Sequence, residues 1–485
     1  MRTPRRISVH TNEREQRRPT RRNVAAAMAV LALASGCARE PSGLPEGGPI
    51  VIIVVDTLRA DGLGFHGYRH ATSASLDEWA GRGAVFEHAF STAPWTLPSV
   101  GSLLTGRYPA NHGSGRREVA LPEGGTRNEF VGLDAAAPRL AARLSEHGYA
   151  TAAFVTNSFL WPGFGLDQGF DSYDFSRSKF RDQRAADVMV DQALAWIDAR
   201  APAAPWFLLL HLLDPHLPYD PPPAVAGRLT AGYHGTLATP IEPALVRKVN
   251  GGELELEPAD QAFLRGVYDE EVAFVSAQLA RFLDGLAARK VLERGLVLLT
   301  ADHGEEFLDH GRLEHGHTLY QELLRIPFVV WGHGVRPGRR AEPVSLVDVM
   351  PTLLEALGLA RREDLDGVSL WPALGGGGAP GPRRLYAENS LYGEPRRALV
   401  EWPFKLIASG DPARFELYDL EHDPTERVNL AAARPEVTAA LTTALLQRAQ
   451  PVHARAAVEL DQETQNELRS IGYLGGSSSG DDDGD

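Results

Sequence analysis

The stretch Ile50–Asp56, IVIIVVD, decides the fold, because six consecutive β-branched residues precede a single aspartate. A continuous apolar run of this length predicts a strand that is buried on both faces, as in a parallel sheet. A second run, GLVLLT at Gly295–Thr300, leads into Asp302 and His303. In open α/β sheets, ligands collect at the carboxyl ends of the strands. The sequence therefore predicts that Asp56, Asp302 and His303 meet at one edge of a sheet.

The residue types expected at this edge favour a metal ion. Two carboxylates and one imidazole form a ligand set that suits divalent cations. Because His303 brings a nitrogen ligand, zinc or manganese is favoured over calcium, which binds through oxygen atoms. We therefore expect one or two divalent metal ions, with Zn or Mn as the first choice and Ca as the alternative.

A second informative segment is Ser91–Gly113, STAPWTLPSVGSLLTGRYPANHG. Pro94 and Pro98 each push the preceding residue out of the α region, which predicts a sharp turn. A short helix is expected to begin at Pro98 and to end at Gly106. Thr96 then lies just before a helix N-terminus, where free N–H groups and the helix dipole favour a bound oxyanion. A capping threonine in an ordinary turn is the alternative.

The rest of the chain alternates strands with helices, which predicts an α/β fold with a largely parallel sheet covered on both faces. The expected elements are strands Ile50–Val55, Thr151–Val155, Trp206–His211, Gly295–Thr300 and Pro327–Trp331, and helices near Ser73–Arg82, Pro98–Thr105, Ala136–His147, Arg184–Ala199, Pro258–Lys290 and Asp348–Leu357. Residues 218–258 are expected to form an excursion over the site entrance. Strands at 396–401, 403–409 and 414–418 and a helix at 435–448 predict a small C-terminal α+β domain.

Composition divides the chain into six segments. They are a signal peptide at residues 1–36, a tether at 37–48, a catalytic domain at 49–374, a linker at 375–382, a C-terminal subdomain at 383–475 and a disordered tail at 476–485. The signal peptide places arginines before a short apolar core, and its last residues together with Cys37 read ASGC at Ala34–Cys37, which is typical of a bacterial lipobox. We expect export and a lipid on Cys37 that anchors the protein in the bacterial cell envelope. A plain secretory signal is the alternative.

The charge balance argues against a nucleic-acid partner. The net charge is −14, and the arginine-rich first 36 residues make the remainder more acidic still. Nucleic-acid-binding domains carry basic patches instead. The expected partners are therefore a small-molecule or envelope ester substrate and the membrane, through the lipid on Cys37.

Six motifs, in this order along the chain, resemble the sulfatase family of the alkaline phosphatase-like superfamily. They are VVDTLRAD at 54–61, TLPSVGSLLTGRYPANHG at 96–113, DPHLPY at 214–219, TADHGEEFLDHG at 300–311, GHTLYQELLRIPFVVWG at 316–332 and LYDLEHDPTERVNL at 417–430. The resemblance implies a mixed, mostly parallel sheet sandwiched by helices, with a small C-terminal α+β domain. It also implies a metal-dependent ester hydrolase in which Thr96 is the nucleophile and shares the metal with Asp56, Asp302 and His303.

The sequence departs from this family at the nucleophile. Sulfatases have a cysteine or serine at the position of Thr96, within a Cys/Ser-x-Pro-x-Arg signature, and an enzyme converts it to formylglycine. Threonine is not a substrate for that conversion, and Val100 stands where the arginine belongs. A threonine nucleophile resembles instead the phosphodiesterases, phosphoethanolamine transferases and lipoteichoic acid synthases of the same superfamily. Sulfatases also commonly carry asparagine, together with calcium, where His303 stands.

Histidines after the strand ends are the candidate substrate contacts. The family's Pro-His element contacts the substrate oxyanion, which implies a catalytic role for His216. His315 and His317 occupy the loop where sulfatases often present a lysine to the substrate. We assign His317 as a further catalytic residue and His315 as a substrate-binding residue. Each of the two is a candidate anion binder, leaving-group acid or second-metal ligand.

Three further residues lie near these motifs. Asn157, at the place of the family's Lys-x-His element, is expected to bind substrate by donating to a phosphate oxygen. His211 follows an apolar run and is expected to be a core residue. Asp214 is either a turn residue or a second-metal ligand.

Three functions are consistent with the sequence. The leading hypothesis is a metal-dependent hydrolase or transferase in which Thr96 attacks phosphate or phosphonate (di)esters and becomes phosphorylated. The first alternative is a sulfuric ester hydrolase that uses the same site without formylglycine. The second is a non-catalytic binding protein on the same fold, which has no need of an intact metal-ligand set.

Overall fold

Eight strands form the main sheet, and Ile50–Val55 lies in its interior. In order across the sheet, the strands are Gly338–Arg340, Ala84–Phe86, Phe328–Gly332, Leu296–Ala301, Ile50–Val55, Trp206–Leu212, Ala150–Phe154 and Ser172–Asp174. The computed structural model describes residues 43–120, 126–175, 185–201, 204–410, 412–448 and 457–470, which belong to one compact unit that starts at Pro41. The predicted signal peptide, Cys37 and the tail at 476–485 lie outside the described residues.

The register of the sheet fixes where the strands end. Ile50–Val55 pairs in parallel with both neighbours, and all six of its residues are fully buried, as predicted. Its last residue lies opposite Ala301. Phe328–Gly332 runs antiparallel to both of its neighbours, so the sheet is mixed but mostly parallel. Because parallel strands end at the same edge, Asp56 and Asp302 leave the sheet side by side.

Helices pack onto this sheet. The α-helices are Ala74–Ala80, Thr96–Thr105, Pro109–His112, Leu140–Ser145, Ala186–Asp198, Pro243–Asn250, Pro258–Ala288, Val291–Arg294, Gln321–Leu324, Val349–Ala356, Trp371–Leu374, Pro435–Gln447 and Gln462–Ser470. Short 3-10 helices lie at Ala60–Gly62, Gly64–His66, Ser158–Leu160, Pro162–Phe164 and Leu346–Asp348. The longest helix begins with a capping box formed by Glu257 and Asp260. Among the described residues, no helix has both the length and the apolar character that crossing a membrane requires.

Among the described residues, three smaller sheets consist of strands that lie between or just after the strands of the main sheet. Their strands are Glu306–Phe307 with Leu313–Glu314, Arg325–Ile326 with Ala89–Phe90 and Val344–Ser345, and Gly115–Ala120 with Thr126–Val131. The pair Glu306–Phe307 and Leu313–Glu314 is antiparallel and follows Asp302 and His303 directly in the chain. It therefore fixes the position of the histidine-rich loop that comes next.

The C-terminal sheet is antiparallel and consists of Leu385–Glu388, Arg396–Glu401, Phe404–Ser409 and Arg414–Asp419. Its buried residues form a core with helix Pro435–Gln447, in which Leu399 and Leu406 cluster with Leu441. The predicted small C-terminal α+β domain is thus confirmed, and the predicted elements are present to within one residue at each end. Sequence reasoning missed strand Leu385–Glu388 and, also within residues 383–475, helix Gln462–Ser470.

Several loops are more regular than the sequence indicates. The expected excursion at 218–258 contains helix Pro243–Asn250, and the hairpin at 115–131 was not anticipated because its strands are polar and lack alternation. The helix expected near Ala136–His147 spans only Leu140–Ser145. The late start follows from Arg139, the N-cap, which is extended with φ −132° and ψ 123°, and Pro138 keeps Ala137 out of the α region as well.

Candidate active site

Two neighbouring strand ends bring three ionisable side chains together. Asp56 follows Ile50–Val55, and Asp302 and His303 follow Leu296–Ala301. One potential ligand atom from each of the three side chains lies within 4.8 Å of those of the others, and all three residues are buried. His303 Nε2 is 3.5 Å from Asp56 Oδ1 and 3.5 Å from Asp302 Oδ2. The residues predicted to hold a metal ion therefore do meet at one edge of the sheet.

These separations suit atoms that share one metal ion. At metal–ligand distances of about 2.0–2.2 Å, neighbouring ligand atoms lie roughly 3–4 Å apart. Asp56 Oδ1 and Asp302 Oδ2 are buried, and neither has a hydrogen-bond partner among the described residues. A buried charged oxygen without a partner is costly, and a cation between the two carboxylates removes that cost. The residues present therefore fit a divalent metal ion.

The protonation states of these side chains also suit a metal ligand set. His303 Nδ1 lies 2.9 Å from the Gly304 carbonyl oxygen, to which it donates, so Nε2 keeps its lone pair. Burial lowers the pKa of His303, which keeps the imidazole neutral. Burial, followed by repulsion from the Asp302 carboxylate, raises the pKa of Asp56 well above its usual value. A bound cation relieves that repulsion.

Thr96 faces this cluster from the first residue of a helix. The helix runs from Thr96 to Thr105 with Trp95 as its N-cap, so the expected start at Pro98 is wrong by two residues. Proline is tolerated in a first helical turn because its missing N–H would be unpaired there. Thr96 Oγ1 lies 3.4 Å from His303 Nε2. The hydroxyl is thus positioned both by the helix N-terminus and by the metal-ligand cluster.

Hydrogen bonds fix the turn that precedes this helix. Ser91 Oγ donates to the carbonyl oxygen of Asp302, which ties the turn to the strand that carries a metal ligand. Trp95 Nε1 donates to the carbonyl oxygen of Asn389 at 2.6 Å, and its ring packs against Phe159 with centroids 4.9 Å apart. The position of Thr96 is therefore set by contacts to both the main sheet and the C-terminal region.

Asn157 connects the threonine to a metal ligand. Its Nδ2 donates to Asp56 Oδ2 at 2.7 Å and to Thr96 Oγ1 at 3.2 Å. Its Oδ1 accepts from Phe159 N at 2.8 Å and caps the 3-10 helix that starts at Ser158. The expected role of Asn157 in substrate binding stays a prediction, and its amide nitrogen donates to two protein oxygens, one on Asp56 and one on Thr96.

His216 and His315 lie beside His303. The His315 ring centroid is 4.4 Å from that of His303 and 5.1 Å from that of His216. His315 Nδ1 is 2.9 Å from Oε1 of Glu305, a fully buried acid that sequence reasoning missed although it directly follows the Asp-His-Gly motif. Burial lowers the pKa of His216 to about 4, and burial followed by the His303 imidazole lowers that of His315 well below its usual value. Both rings are therefore neutral hydrogen-bonding groups near neutral pH.

His317 has different surroundings. Its ring stacks on Tyr392 with centroids 4.7 Å apart, and its carbonyl oxygen accepts from Arg396 Nη1. Burial, and then the cations Arg312 and Arg396, lower its pKa to about 3. Of the two loop histidines, His315 is the one whose ring contacts His303. The catalytic role expected for His317 and the substrate-binding role expected for His315 stay predictions.

His211 is fully buried, as a core residue would be, but its side chain points into the site. Its Nε2 lies 3.7 Å from Asp56 Oδ2 and 4.0 Å from Asp302 Oδ2. Sequence reasoning missed this residue because an apolar run does not reveal which of its side chains faces a neighbouring strand end. Asp214, in contrast, accepts from the backbone N of Ala186 at 3.0 Å, at the start of a helix, which favours the turn interpretation over metal ligation.

The fold and the site together define the class of the protein. A mostly parallel sheet with a buried metal-ligand cluster and a helix-borne hydroxyl at its strand ends is the arrangement of the alkaline phosphatase-like superfamily. A family model described as Sulfatase matches residues 49–359, and one described as N-sulphoglucosamine sulphohydrolase, C-terminal, matches residues 309–451. The chain belongs to the sulfatase family, whose enzymes are metal-dependent ester hydrolases.

Relatives with known names are distant but extend over most of the chain. An arylsulfatase of Clostridium perfringens is 23% identical over 449 residues, which covers 79% of this chain and 89% of the relative. Arylsulfatase K of Homo sapiens is 23% identical over 479 residues, which covers 86% and 85%. A choline-sulfatase of Rhizobium meliloti is 32% identical over 172 residues, which covers 34% and 33%. Its match is thus confined to one part of each chain.

Solved structures confirm the fold. A 2-O GAG sulfatase superposes with a TM-score of 0.66 at 20% identity, covering 82% of this chain and 91% of that one. The phosphonate monoester hydrolase of Agrobacterium radiobacter superposes with a TM-score of 0.66 at 20% identity, covering 82% and 95%. The same fold thus carries enzymes named for sulfate esters and enzymes named for phosphonate esters.

Proposed function

We propose that the protein is a metal-dependent hydrolase or transferase that acts on phosphate or phosphonate (di)esters with Thr96 as its nucleophile. The observation that carries this proposal is the Thr96 hydroxyl, which lies at a helix N-terminus and 3.4 Å from His303 Nε2. Because threonine is not a substrate for conversion to formylglycine, we take the unmodified hydroxyl as the nucleophile.

The metal ion is proposed to be zinc or manganese, held by Asp56, Asp302, His303 and the Thr96 oxygen, with calcium as the alternative. When bound, it lowers the pKa of the Thr96 hydroxyl and supplies positive charge next to the phosphoryl group. Asn157 holds the hydroxyl through its Nδ2, 3.2 Å from Thr96 Oγ1, and so limits the directions from which Thr96 attacks.

Thr96 then attacks phosphorus in line with the leaving group. The Oγ–P bond forms and the P–O bond to the leaving group breaks. The Thr96 hydroxyl proton passes to solvent, and the leaving alkoxide takes a proton from solvent to become the alcohol.

We propose that N–H groups at the helix N-terminus face the phosphoryl oxygens. His216 Nδ1 donates to the Leu217 carbonyl oxygen at 2.5 Å, so the neutral ring presents the lone pair of Nε2 and is proposed to accept a proton at the reacting centre. Burial raises the pKa of Glu305 well above its usual value, so Glu305 donates to His315 Nδ1 and His315 Nε2–H is the proposed donor to a phosphoryl oxygen. Water or an acceptor alcohol subsequently displaces Thr96 and releases the phosphoryl group, which decides between hydrolase and transferase.

A sulfuric ester hydrolase that lacks formylglycine is the second candidate, and the family match at residues 49–359 favours it. Attack of Thr96 on sulfur would leave a sulfated threonine. That ester lacks the elimination route that a formylglycine hydrate provides, so its release has to be a second displacement. We therefore expect sulfate esters to be poorer substrates than phosphate and phosphonate esters.

The substrate preference is tested by a hydrolysis screen. Metal-stripped protein receives Zn, Mn or Ca and is assayed with an aryl sulfate, a phosphate monoester, a phosphodiester and a phosphonate monoester. We expect phosphodiester or phosphonate turnover to exceed sulfate-ester turnover. Clearly faster sulfate-ester hydrolysis with any of the three metals would overturn the proposed substrate class and favour the second candidate.

We also propose that the protein is exported and anchored in the bacterial cell envelope through a lipid on Cys37. The support is the basic segment, short apolar core and ASGC sequence at the N-terminus. Intact mass and the N-terminal peptide of protein made in a bacterial host test this. A mature chain that starts at a lipid-modified Cys37 is the expected result, and an unmodified Cys37 or a different start contradicts it.

A further inference from the structure

His211 is a buried imidazole whose Nε2 has no hydrogen-bond partner among the described residues. It is one residue from the end of strand Trp206–Leu212, opposite Val54 in the central strand. Its side chain is 1% exposed, and no described residue forms a hydrogen bond with its Nε2. An unpaired buried nitrogen costs free energy, so a group that is not part of the protein is expected to satisfy it.

The unpaired atoms of this region converge. His211 Nε2 lies 3.7 Å from Asp56 Oδ2 and 4.0 Å from Asp302 Oδ2. Both distances exceed a hydrogen bond, but they lie in the range of about 3–4 Å expected for two ligands of one metal ion. Asp302 Oδ2, itself unpaired, is also 3.5 Å from His303 Nε2, so the two imidazoles approach the same carboxylate oxygen.

The tautomer of His211 agrees with ligation. Thr156 Oγ1 donates to the His211 carbonyl oxygen at 3.1 Å and lies 3.2 Å from His211 Nδ1. Because a hydroxyl has a single proton, the assignment that satisfies both contacts has Nδ1–H donating to Thr156 Oγ1. Nε2 then carries the lone pair. The Nδ1–H group of His303 is bound in the same way by the Gly304 carbonyl oxygen at 2.9 Å.

We propose that His211 is an additional protein ligand of the metal ion, through Nε2. Asp56 then lies between two imidazoles, with Oδ1 facing His303 and Oδ2 facing His211. A centre with two nitrogen ligands favours zinc or manganese over calcium more strongly than a centre with one. The inference rests on the metal centre and is independent of whether the substrate is a phosphate or a sulfate ester.

The test measures metal binding rather than turnover. Full-length protein is stripped of metal, and Zn²⁺ and Ca²⁺ affinities are measured by calorimetric titration for wild type, His211→Leu and His211→Gln. We expect Zn²⁺ affinity to fall by at least about 10–100-fold, the loss typical of weakened ligation, with a smaller change for Ca²⁺. The visible absorption of the Co²⁺-loaded protein should also change, because the removal of a nitrogen ligand alters the ligand field.

His317→Gln is the matched control, since that imidazole stacks on Tyr392 instead, and it should keep wild-type affinity and Co²⁺ absorption.

Thermal unfolding separates ligation from packing. A ligand role predicts that the His211 variants lose part of the stabilisation by Zn²⁺ while their metal-free Tm stays close to wild type. Unchanged Zn²⁺ affinity and Co²⁺ absorption, or an equal loss of Tm with and without metal, would overturn the proposal and make His211 a core residue. If His211→Leu does not fold, His211→Gln decides.

Discussion

At the scale of single residues, the site consists of buried polar groups, and a bound cation would satisfy those that lack a hydrogen bond. In the part of the chain that the structure describes, Asp56 Oδ1 and Asp302 Oδ2 accept no hydrogen bond. Asn157 and the Gly304 carbonyl hold the adjoining atoms in fixed directions. Such a cluster is costly in the empty protein and therefore binds metal with preorganised geometry. The free-energy cost of burying these carboxylate oxygens without hydrogen bonds is the physical reason to expect a metal site here.

We expect His216 and His315 to contribute more to turnover than His317. Replacing His216 or His315 with Gln should lower kcat/KM by about 10²–10⁴, the range for one acid–base or charge-stabilising group. His317→Gln should change it much less, because its ring contacts Tyr392. Steady-state kinetics with thermal unfolding of each variant decides. A larger loss for His317→Gln than for His315→Gln, at equal stability, would reverse our assignment.

At the scale of secondary-structure elements, the antiparallel pair Glu306–Phe307 and Leu313–Glu314 contains two glutamates whose pKa values are raised. Glu314 is buried and adopts a positive φ of 73°, and none of the described residues forms a hydrogen bond with its Oε1. Burial raises the pKa of Glu314 to about 8, against the opposing effect of Arg247. Burial and the Glu322 carboxylate likewise raise the pKa of Glu306 to about 7. This element is therefore most stable when both acids are protonated.

The raised pKa of Glu314 predicts a pH-dependent stability. Between the unfolded pKa of about 4.3 and the folded value of about 8, the unfolded chain releases this proton while the folded chain keeps it. Stability is therefore present in full below that window and is lost as pH rises through it. Glu314→Gln should match wild type in Tm at about pH 5 and exceed it at about pH 8.5. An equal pH dependence of Tm in both proteins would show that Glu314 does not titrate as argued.

At the scale of the whole molecule, the metal centre joins the ends of adjacent strands of the main sheet. Asp56 and Asp302 belong to the ends of paired parallel strands, so a shared cation links them to the helix that begins at Thr96. Binding to the folded state alone stabilises the protein by mass action. We expect chelation to lower the Tm and added Zn²⁺ to restore it.

Asp302→Ala should remove most of the bound metal and nearly all activity, because it deletes a ligand at the centre of the cluster. The fold should persist, since Asp302 lies beyond the last hydrogen-bonded strand residue, Ala301. Elemental analysis, circular dichroism and thermal unfolding check this. Unchanged metal content in a folded variant would show that the metal binds elsewhere.

Much of the architecture could be predicted from the sequence, because buried parallel strands are long apolar runs and their ends are marked by polar residues. The run Ile50–Val55 and the residues Asp302 and His303 were located in this way. Side-chain direction was beyond that reasoning. The apolar run predicts a core position for His211 but not the direction of its side chain. The directions of His315 and His317 depend on the path of a loop, which no sequence periodicity encodes.

The helix start was misplaced for a related reason. Proline marks a boundary only to within the first turn, so Pro98 gave the position of Thr96 but not its helical conformation. The polar hairpin at 115–131 was missed because its stability depends on tertiary contacts. Arg116 Nη1, for example, donates to the carbonyl oxygen of Leu391 at 2.9 Å.

The most direct test of the proposed chemistry is to trap the covalent intermediate on Thr96. Protein loaded with metal is mixed with a phosphodiester or phosphonate substrate, quenched in acid, digested and analysed by mass spectrometry. We expect a phosphoryl or phosphonyl mass on the peptide that carries Thr96, no such mass in Thr96→Ala, and partial activity in Thr96→Ser. An unmodified Thr96 peptide together with near-normal turnover by Thr96→Ala would contradict the assignment of Thr96 as the nucleophile.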